Sequence, residues 1–290
     1  VSTEGGVDTG GRKFWELKSA LLADITEGGY EAGALLPSQR DLAAKYKVSR
    51  DTVQKVLGVL AGEGWIDSSR GRGAVVLRTP TVRSGGRGGR ATRRVALGPL
   101  IAAAFTAPHV TLDAFTLTSE VLYTHLRAQE ELIRAHEIRP PTTITVRMMV
   151  PSEDQPPPFP FVRGAPDDDR PQKHLRGIRE YHTDSLVRLL EGLGRDIDGL
   201  TVAVDLKRVP LVPYSKLYIL NEAEVVTGPY VLSERPITLN GGTTLDVVDV
   251  MGFDSPLTHS VKDGDPESQD SLAVSSWQRW FDSTWRLLAT

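Results

Sequence analysis

The 290-residue chain contains no cysteine. Disulfides, thiolate metal sites and cysteine nucleophiles are therefore excluded at once. Apolar runs are short, none approaching the ~18 residues of a membrane-spanning helix, and Val1 to Gly11 lacks the basic-then-apolar pattern of a secretory signal. The expectation is a cytoplasmic protein with no membrane partner. Histidine is sparse as well: His109, His125, His136, His174, His182 and His259 are scattered, without the i, i+4 pairing or acidic neighbours of a metal site. The acidic run Asp167-Asp168-Asp169 sits in a proline-rich stretch, where a solvated cluster is the simpler reading. Neither a metal nor a cofactor is expected.

What is present is enough for two modules, since 40% of the residues are apolar and neither disorder nor a fibrous repeat fits the composition. The net charge of -3 conceals a separation along the chain. Residues 1–78 hold 11 Lys and Arg against 10 Asp and Glu, residues 79–94 hold 5 Arg and no acid, and residues 95–290 hold 18 against 27. The front is thus net basic and the rear net acidic, which suits a protein whose front alone meets a polyanion, although solvated surface gives the same count.

In the front module, Phe14, Leu17, Leu21, Leu22 and Ile25 recur at helical spacing and define one buried stripe, ended by Gly28 and Gly29. After Pro37, Ser38 can cap a second helix with Asp41 in the capping-box position, and Leu42, Ala43 and Tyr46 supply its inner face. Ser49 can cap a third helix through Val53, Val56, Leu57 and Leu60, stopped at Gly64. Two short helices joined by a tight turn make a helix-turn-helix whose recognition helix begins near Arg50. Two β-prone runs, Trp65-Ile66 and Ala74 to Leu77, then flank the tip Arg70-Gly71-Arg72-Gly73, which reads as a wing that can lie close to a phosphate backbone.

Taken together, Gly33-Ala34-Leu35-Leu36-Pro37-Ser38-Gln39-Arg40-Asp41-Leu42-Ala43, Val48-Ser49-Arg50-Asp51-Thr52-Val53, Gly64-Trp65 and Gly71-Arg72-Gly73 resemble the GntR family of bacterial regulators across residues 14–78. The resemblance implies that Arg40 holds phosphate or base edges, and that Ser49, Arg50 and Thr52 enter the major groove of a double-stranded DNA operator. Arg50 is the candidate for a bidentate contact to guanine O6 and N7, because its planar fork matches two adjacent acceptors. Ser49 and Thr52 suit phosphates, Ser49 being equally a plain helix cap. Arg70, Gly71 and Arg72 fall where the family places a wing in the minor groove, a plain hairpin turn being the other reading. Gln54 departs from the family, in which arginine is common; glutamine can pair with adenine N6 and N7. Asp51 either accepts from cytosine N4 or repels the backbone. The family acts as homodimers, and two-fold symmetry imposes an inverted-repeat operator.

Residues 79–94, with four glycines, five arginines and Pro80, read as a flexible tether. The expected domains are a disordered tail at 1–13, the winged helix-turn-helix at 14–78, this linker, and a larger effector-binding and dimerisation domain at 95–290. In the last, strands are expected at 110–117, 143–150, 200–209, 216–220 and 245–251. Helices are expected through Leu122 to Ile133, from about 182 to 193 and from 277 to 288, with a long loop up to Pro171. The fold class is therefore α+β, with an α/β sandwich at the rear.

A second resemblance lies in Tyr214-Ser215-Lys216-Leu217-Tyr218-Ile219-Leu220-Asn221 with Val225 to Tyr230, which looks like the signature strand and hairpin of the phospholipase D superfamily. Lys216 matches the motif, but Tyr214 stands where the nucleophilic histidine belongs and Asn221 where the aspartate does. A phenol of pKa about 10 is a poor nucleophile at neutral pH, so hydrolysis by that route is not expected. Tyr214, Lys216, Asn221 and Tyr230 become candidates to hold a small anionic or polar effector. The reading is a ligand-responsive, non-enzymatic repressor; the alternatives are a DNA-targeted phosphodiesterase or nuclease, and a rear domain that only dimerises.

Overall fold

A computed structural model of the chain describes residues 9–26, 29–31, 33–62, 65–68, 73–77, 82–84, 94–95, 97–239, 243–251 and 257–290. The chain divides into two compact units, Val1–Thr79 with Arg235–Leu245, and Pro80–Glu234 with Asp246–Thr290.

In the first unit, helices α1 (Thr9–Thr26), α2 (Gln39–Lys45) and α3 (Arg50–Gly62) are followed by strands β1 (Ile66–Asp67) and β2 (Val75–Val76). Helix α1 starts inside the segment expected as a tail. Its stripe of Leu17, Leu21, Leu22 and Ile25 is buried, as are Val53, Val56, Leu57 and Leu60 of α3 and Leu42 of α2, and α3 packs on both other helices. The antiparallel pair β1–β2 is widened by the 33–36 segment, where Val76 N–H donates to Ala34 O (2.8 Å) and Leu36 N–H to Ala74 O (2.8 Å). Gly33 (φ 90°) and Gly73 (φ 77°) turn the chain into and out of this small sheet in a region that disfavours a Cβ.

The second unit holds helices α4 (Leu97–Ala104), α5 (Glu120–Arg134), α6 (Arg170–Asp196) and α7 (Gln269–Leu287). Strands β3 (Val82–Ser84), β4 (Arg94–Val95), β5 (His109–Phe115), β6 (Thr143–Pro151), β8 (Thr201–Val209), β9 (Ser215–Leu220), β10 (Glu224–Pro229) and β13 (Leu257–Val261) form one sheet, ordered β4-β3-β13-β10-β9-β5-β6-β8. Strands β5, β6 and β8 are parallel, and β9 runs antiparallel to β5. Strands β7 (Phe161–Val162), β11 (Val231–Thr238) and β12 (Thr244–Met251) form a second, three-stranded sheet, of which 235–238 and 244–245 are counted with the first unit.

Alternation along β9 shows how the layers are built. Tyr218 and Leu220 join the core of α4, α5 and α6, whereas Leu217 and Ile219 pack with Val274 and Phe281 of α7 on the opposite face. The large sheet is thus covered by helices on both sides, a mixed α/β arrangement. The hairpin β9–β10 follows the motif strand as expected, but the likeness to phospholipase D rests on that motif alone.

Several elements differ from expectation for identifiable reasons. Helix α6 begins at Arg170, twelve residues earlier than expected, because Pro171 occupies its first turn, where a missing N–H costs no hydrogen bond and the fixed φ suits a helix. Helix α7 likewise starts at Gln269, capped by Ser268, whose Oγ accepts from Ser271 N–H at 3.1 Å. Within the segment expected as a linker, β3 pairs in parallel with β13 and antiparallel with β4, so part of it belongs to the large sheet; 78–81 and 85–93 lie outside the described residues.

Because Phe281 is fully buried between α7 and the sheet and stacks on Trp285, Phe281→Ala should lower the stability of the second unit by about 3–5 kcal/mol. Chemical denaturation followed by far-UV circular dichroism reads this; a loss below about 1 kcal/mol would contradict the layer assignment.

Candidate nucleic-acid interface and buried polar cluster

The helix-turn-helix is set by its caps. Asp41 N–H donates to Ser38 Oγ (3.3 Å) and the Ser38 hydroxyl donates to Asp41 Oδ2 (2.6 Å), closing the first turn of α2. At α3, Thr52 N–H donates to Ser49 Oγ (3.0 Å), and the Ser49 and Thr52 hydroxyls lie 2.8 Å apart. Lys47 (φ 52°) makes the sharp turn between the two helices. Asp24, near the end of α1, accepts from Lys45 Nζ (2.9 Å) and from the Tyr46 hydroxyl (2.8 Å). These bonds raise the Lys45 ammonium above the ordinary lysine value, and burial pushes the Tyr46 phenol up to about 12.

This leaves Arg40, Ser49, Arg50, Asp51 and Gln54 exposed, with Thr52 half-buried, at the start of α2 and over the first turn and a half of α3. Asp51 is engaged within the helix: its carboxylate lies 2.8 Å from Lys55 Nζ, one turn on. Lys55, exposed and not singled out from the sequence, thereby joins the same surface. Arg70, Gly71 and Arg72 lie outside the described residues, although β1 and β2, which flank them, pair as a wing requires.

In the second unit, the four expected ligand residues are not one cluster. Lys216 and Tyr230 come together: Lys216 is 7% exposed and its Nζ lies 5.8 Å from the Tyr230 ring centroid. Tyr214 adjoins them through its backbone, its carbonyl accepting from Tyr230 N–H (2.8 Å), but its side chain is 81% exposed. Asn221 sits at the other end of β9, about 16 Å further along an extended chain. Its Oδ1 accepts from Thr111 N–H (2.9 Å) and its Nδ2 donates to Ala104 O (3.1 Å), so its amide ties the turn after β9 to β5 and α4.

Lys216 and Tyr230 lie where β5 and β6 end. The Tyr230 hydroxyl accepts from Leu117 N–H (3.0 Å), and buried Arg179 donates to Leu117 O (3.2 Å) and Pro151 O (3.1 Å). Close by in the chain, His182 Nε2 lies 3.7 Å from Glu120 Oε1, both buried. Arg179 and Glu120 were not singled out in the sequence, and His182 was named there only as one of the scattered histidines, because each stands alone among helical residues. The carboxyl ends of parallel strands are where open α/β sheets bind ligands. Burial depresses the Lys216 ammonium to about 7, pushes the Tyr230 phenol above its ordinary value and lowers Arg179. Among the described residues no group of three or more His, Cys, Asp or Glu is placed to hold a metal ion, and no helix is long and apolar enough to cross a membrane.

Residues 16–76 match the family model described as bacterial regulatory proteins, gntR family. Over 65 residues the chain is 42% identical to the HTH-type transcriptional regulator TreR of Bacillus subtilis (strain 168), which takes in 22% of this chain and 27% of that protein. Over 66 residues it is 33% identical to the arabinose metabolism transcriptional repressor of Geobacillus stearothermophilus, covering 23% of this chain and 18% of that one. A solved GntR family transcriptional regulator from Listeria monocytogenes is 31% identical over 22% of this chain and 56% of its own, with a TM-score of 0.22. The chain thus spans about a quarter or less of the length of these two curated relatives.

A buried lysine with a depressed value gives a signed pH dependence. Folded Lys216 releases its proton near 7 and unfolded lysine near 10.5, so its contribution to stability rises with pH between those values and is lowest below 7. Lys216→Met should flatten the rise in stability between pH 7 and pH 10 relative to the parent. Equal slopes in urea titrations of the two proteins would refute the buried, proton-releasing lysine.

Proposed function

We propose that this protein is a sequence-specific DNA-binding transcription regulator of the GntR type, a ligand-responsive repressor that grips an inverted-repeat operator as a homodimer. The observation that carries the reading is the start of α3. Its Ser49 cap holds Arg50 exposed at the head of the helix, within the segment matched by the gntR family model. In this reading Arg50 reads guanine and Gln54 adenine, Arg40, Ser49 and Thr52 hold phosphates, and Arg70, Gly71 and Arg72 of the wing lie in the minor groove. Asp51 contributes by orienting Lys55 toward the backbone rather than by reading a base.

The rear unit is the sensing half. Lys216 and Tyr230, with Tyr214 at the rim, form the seat proposed for a small anion, a disabled relative of the phospholipase D-like site; Asn221 serves the fold of that strand. The phosphodiesterase alternative is not favoured, because a tyrosine replaces the nucleophilic histidine and its side chain is largely exposed. An effector acts by binding unequally to the arrangements of the dimer that do and do not fit DNA. The arrangement is cytoplasmic and calls for no cofactor.

Fluorescence anisotropy with the operator upstream of the protein's own gene tests the reading. Arg50→Ala should weaken specific binding by about 1–3 kcal/mol, roughly tenfold to a hundredfold, while non-specific binding to bulk DNA changes much less. Unchanged operator affinity in that variant would remove α3 as the reading element.

A further inference from the structure

The face of the large sheet opposite α4, α5 and α6 carries a second feature, independent of the Lys216 end. Between α7 and the end of β13 lies an open cleft of about 700 Å³, lined in part by Arg147, Lys262, Arg279 and Arg286. Asp282 is the one acidic residue in its lining. This is the reverse of the surrounding composition, since residues 95–290 hold 27 acidic against 18 basic residues. Like charges gathered in a concave surface repel one another and lower the stability of the fold, and they raise the local concentration of anions.

The four cations are not equivalent. Arg147 reaches across from β6 and is fixed: its guanidinium donates to both Asp113 oxygens (2.7 and 2.6 Å) and to Asp282 (2.8 Å), and it lies over the rings of Phe281 and Trp285. Lys262, Arg279 and Arg286 are exposed, and none of the three makes an ion pair among the described residues. Their charge is left for something else to meet.

Gln278, also in the lining, ties α7 to β5: its Nε2 donates to Asp113 Oδ2 (3.0 Å), while its Oε1 is buried out of reach of a molecule in the cleft. Trp285, also in the lining, offers an aromatic surface beside the guanidinium groups.

We propose that this cleft binds a small organic anion, a phosphate or carboxylate on a carbon frame. Arg279, Arg286 and Lys262 meet the anionic group, and Trp285 packs against the carbon frame. The volume suits a metabolite-sized molecule. The site stands apart from the Lys216 seat, and neither depends on the other.

Glycerol 3-phosphate, a phosphate on a short carbon frame, is the probe, titrated into the full chain at physiological salt and followed by isothermal calorimetry. Saturable binding is expected, weakened about tenfold or more by Arg279→Ala and again by Arg286→Ala, the loss of one charge-assisted contact each. Both positions are exposed, so the variants should retain the parent circular dichroism spectrum. Arg195→Ala, at an exposed position of α6 outside the lining of the cleft, should leave the affinity unchanged. No saturation at about 100 times a micromolar-range Kd, equal affinity in the Arg279 and Arg286 variants, or an equal loss on Arg195→Ala would each overturn the proposal.

Discussion

Helix α3 has to be held by one face and leave the other open. Val53, Val56, Leu57 and Leu60 lie buried, and the helix packs on both α1 and α2. A rotation that turned Arg50 inward would pull this stripe out of the core, at about 1.5–3 kcal/mol for each large side chain returned to water. The outward direction of Arg50 and Gln54 is therefore a consequence of packing rather than of any local preference of those residues. Ser49 completes the arrangement by satisfying an N–H of the first turn, which keeps that turn helical to its end.

The second unit repeats the logic at larger scale. One sheet divides two apolar cores, and polar groups enter beside it both where strands end and where an ion pair compensates them. Arg147 and Asp113 show the second case, a bidentate pair partly covered by Phe281 and Trp285, with the arginine held even further above its ordinary value. Lys216 shows the first, an ammonium at a strand's start whose burial makes its charge costly. The two neighbourhoods face different sides of the same sheet, so the two anion seats proposed above are chemically separate.

Much of the first unit was legible because each of its elements is marked by a local signal. The α1 stripe, Ser38 before α2 and Ser49 before α3 all announce themselves within three or four residues. The second unit was legible only in part. Strands β5, β6 and β8 follow from runs rich in β-branched residues and β9 from the apolar run Leu217 to Leu220, whereas Pro171 concealed twelve residues of α6, and β3 looked like linker because its partner β13 lies far along the chain. The Lys216–Tyr230 pair came from a motif, but Arg179 and the His182–Glu120 contact did not, since only the fold brings them near the strand ends. Asn221 was misplaced for the converse reason: adjacency in a motif is not adjacency in space along an extended strand. The cleft at α7 leaves no sequence pattern at all, because Arg147, Lys262 and Arg279 come from three separate elements.

The central claim is that α3 reads base edges with Arg50 at its head. Selecting bound sequences from a random DNA pool, then mapping guanine N7 methylation interference on the selected site, addresses it most directly. The account predicts an inverted repeat in which methylation of one guanine in each half-site blocks the parent protein, an effect that disappears in Arg50→Ala. Selection of a site without two-fold symmetry, or interference that persists unchanged in the variant, would contradict it.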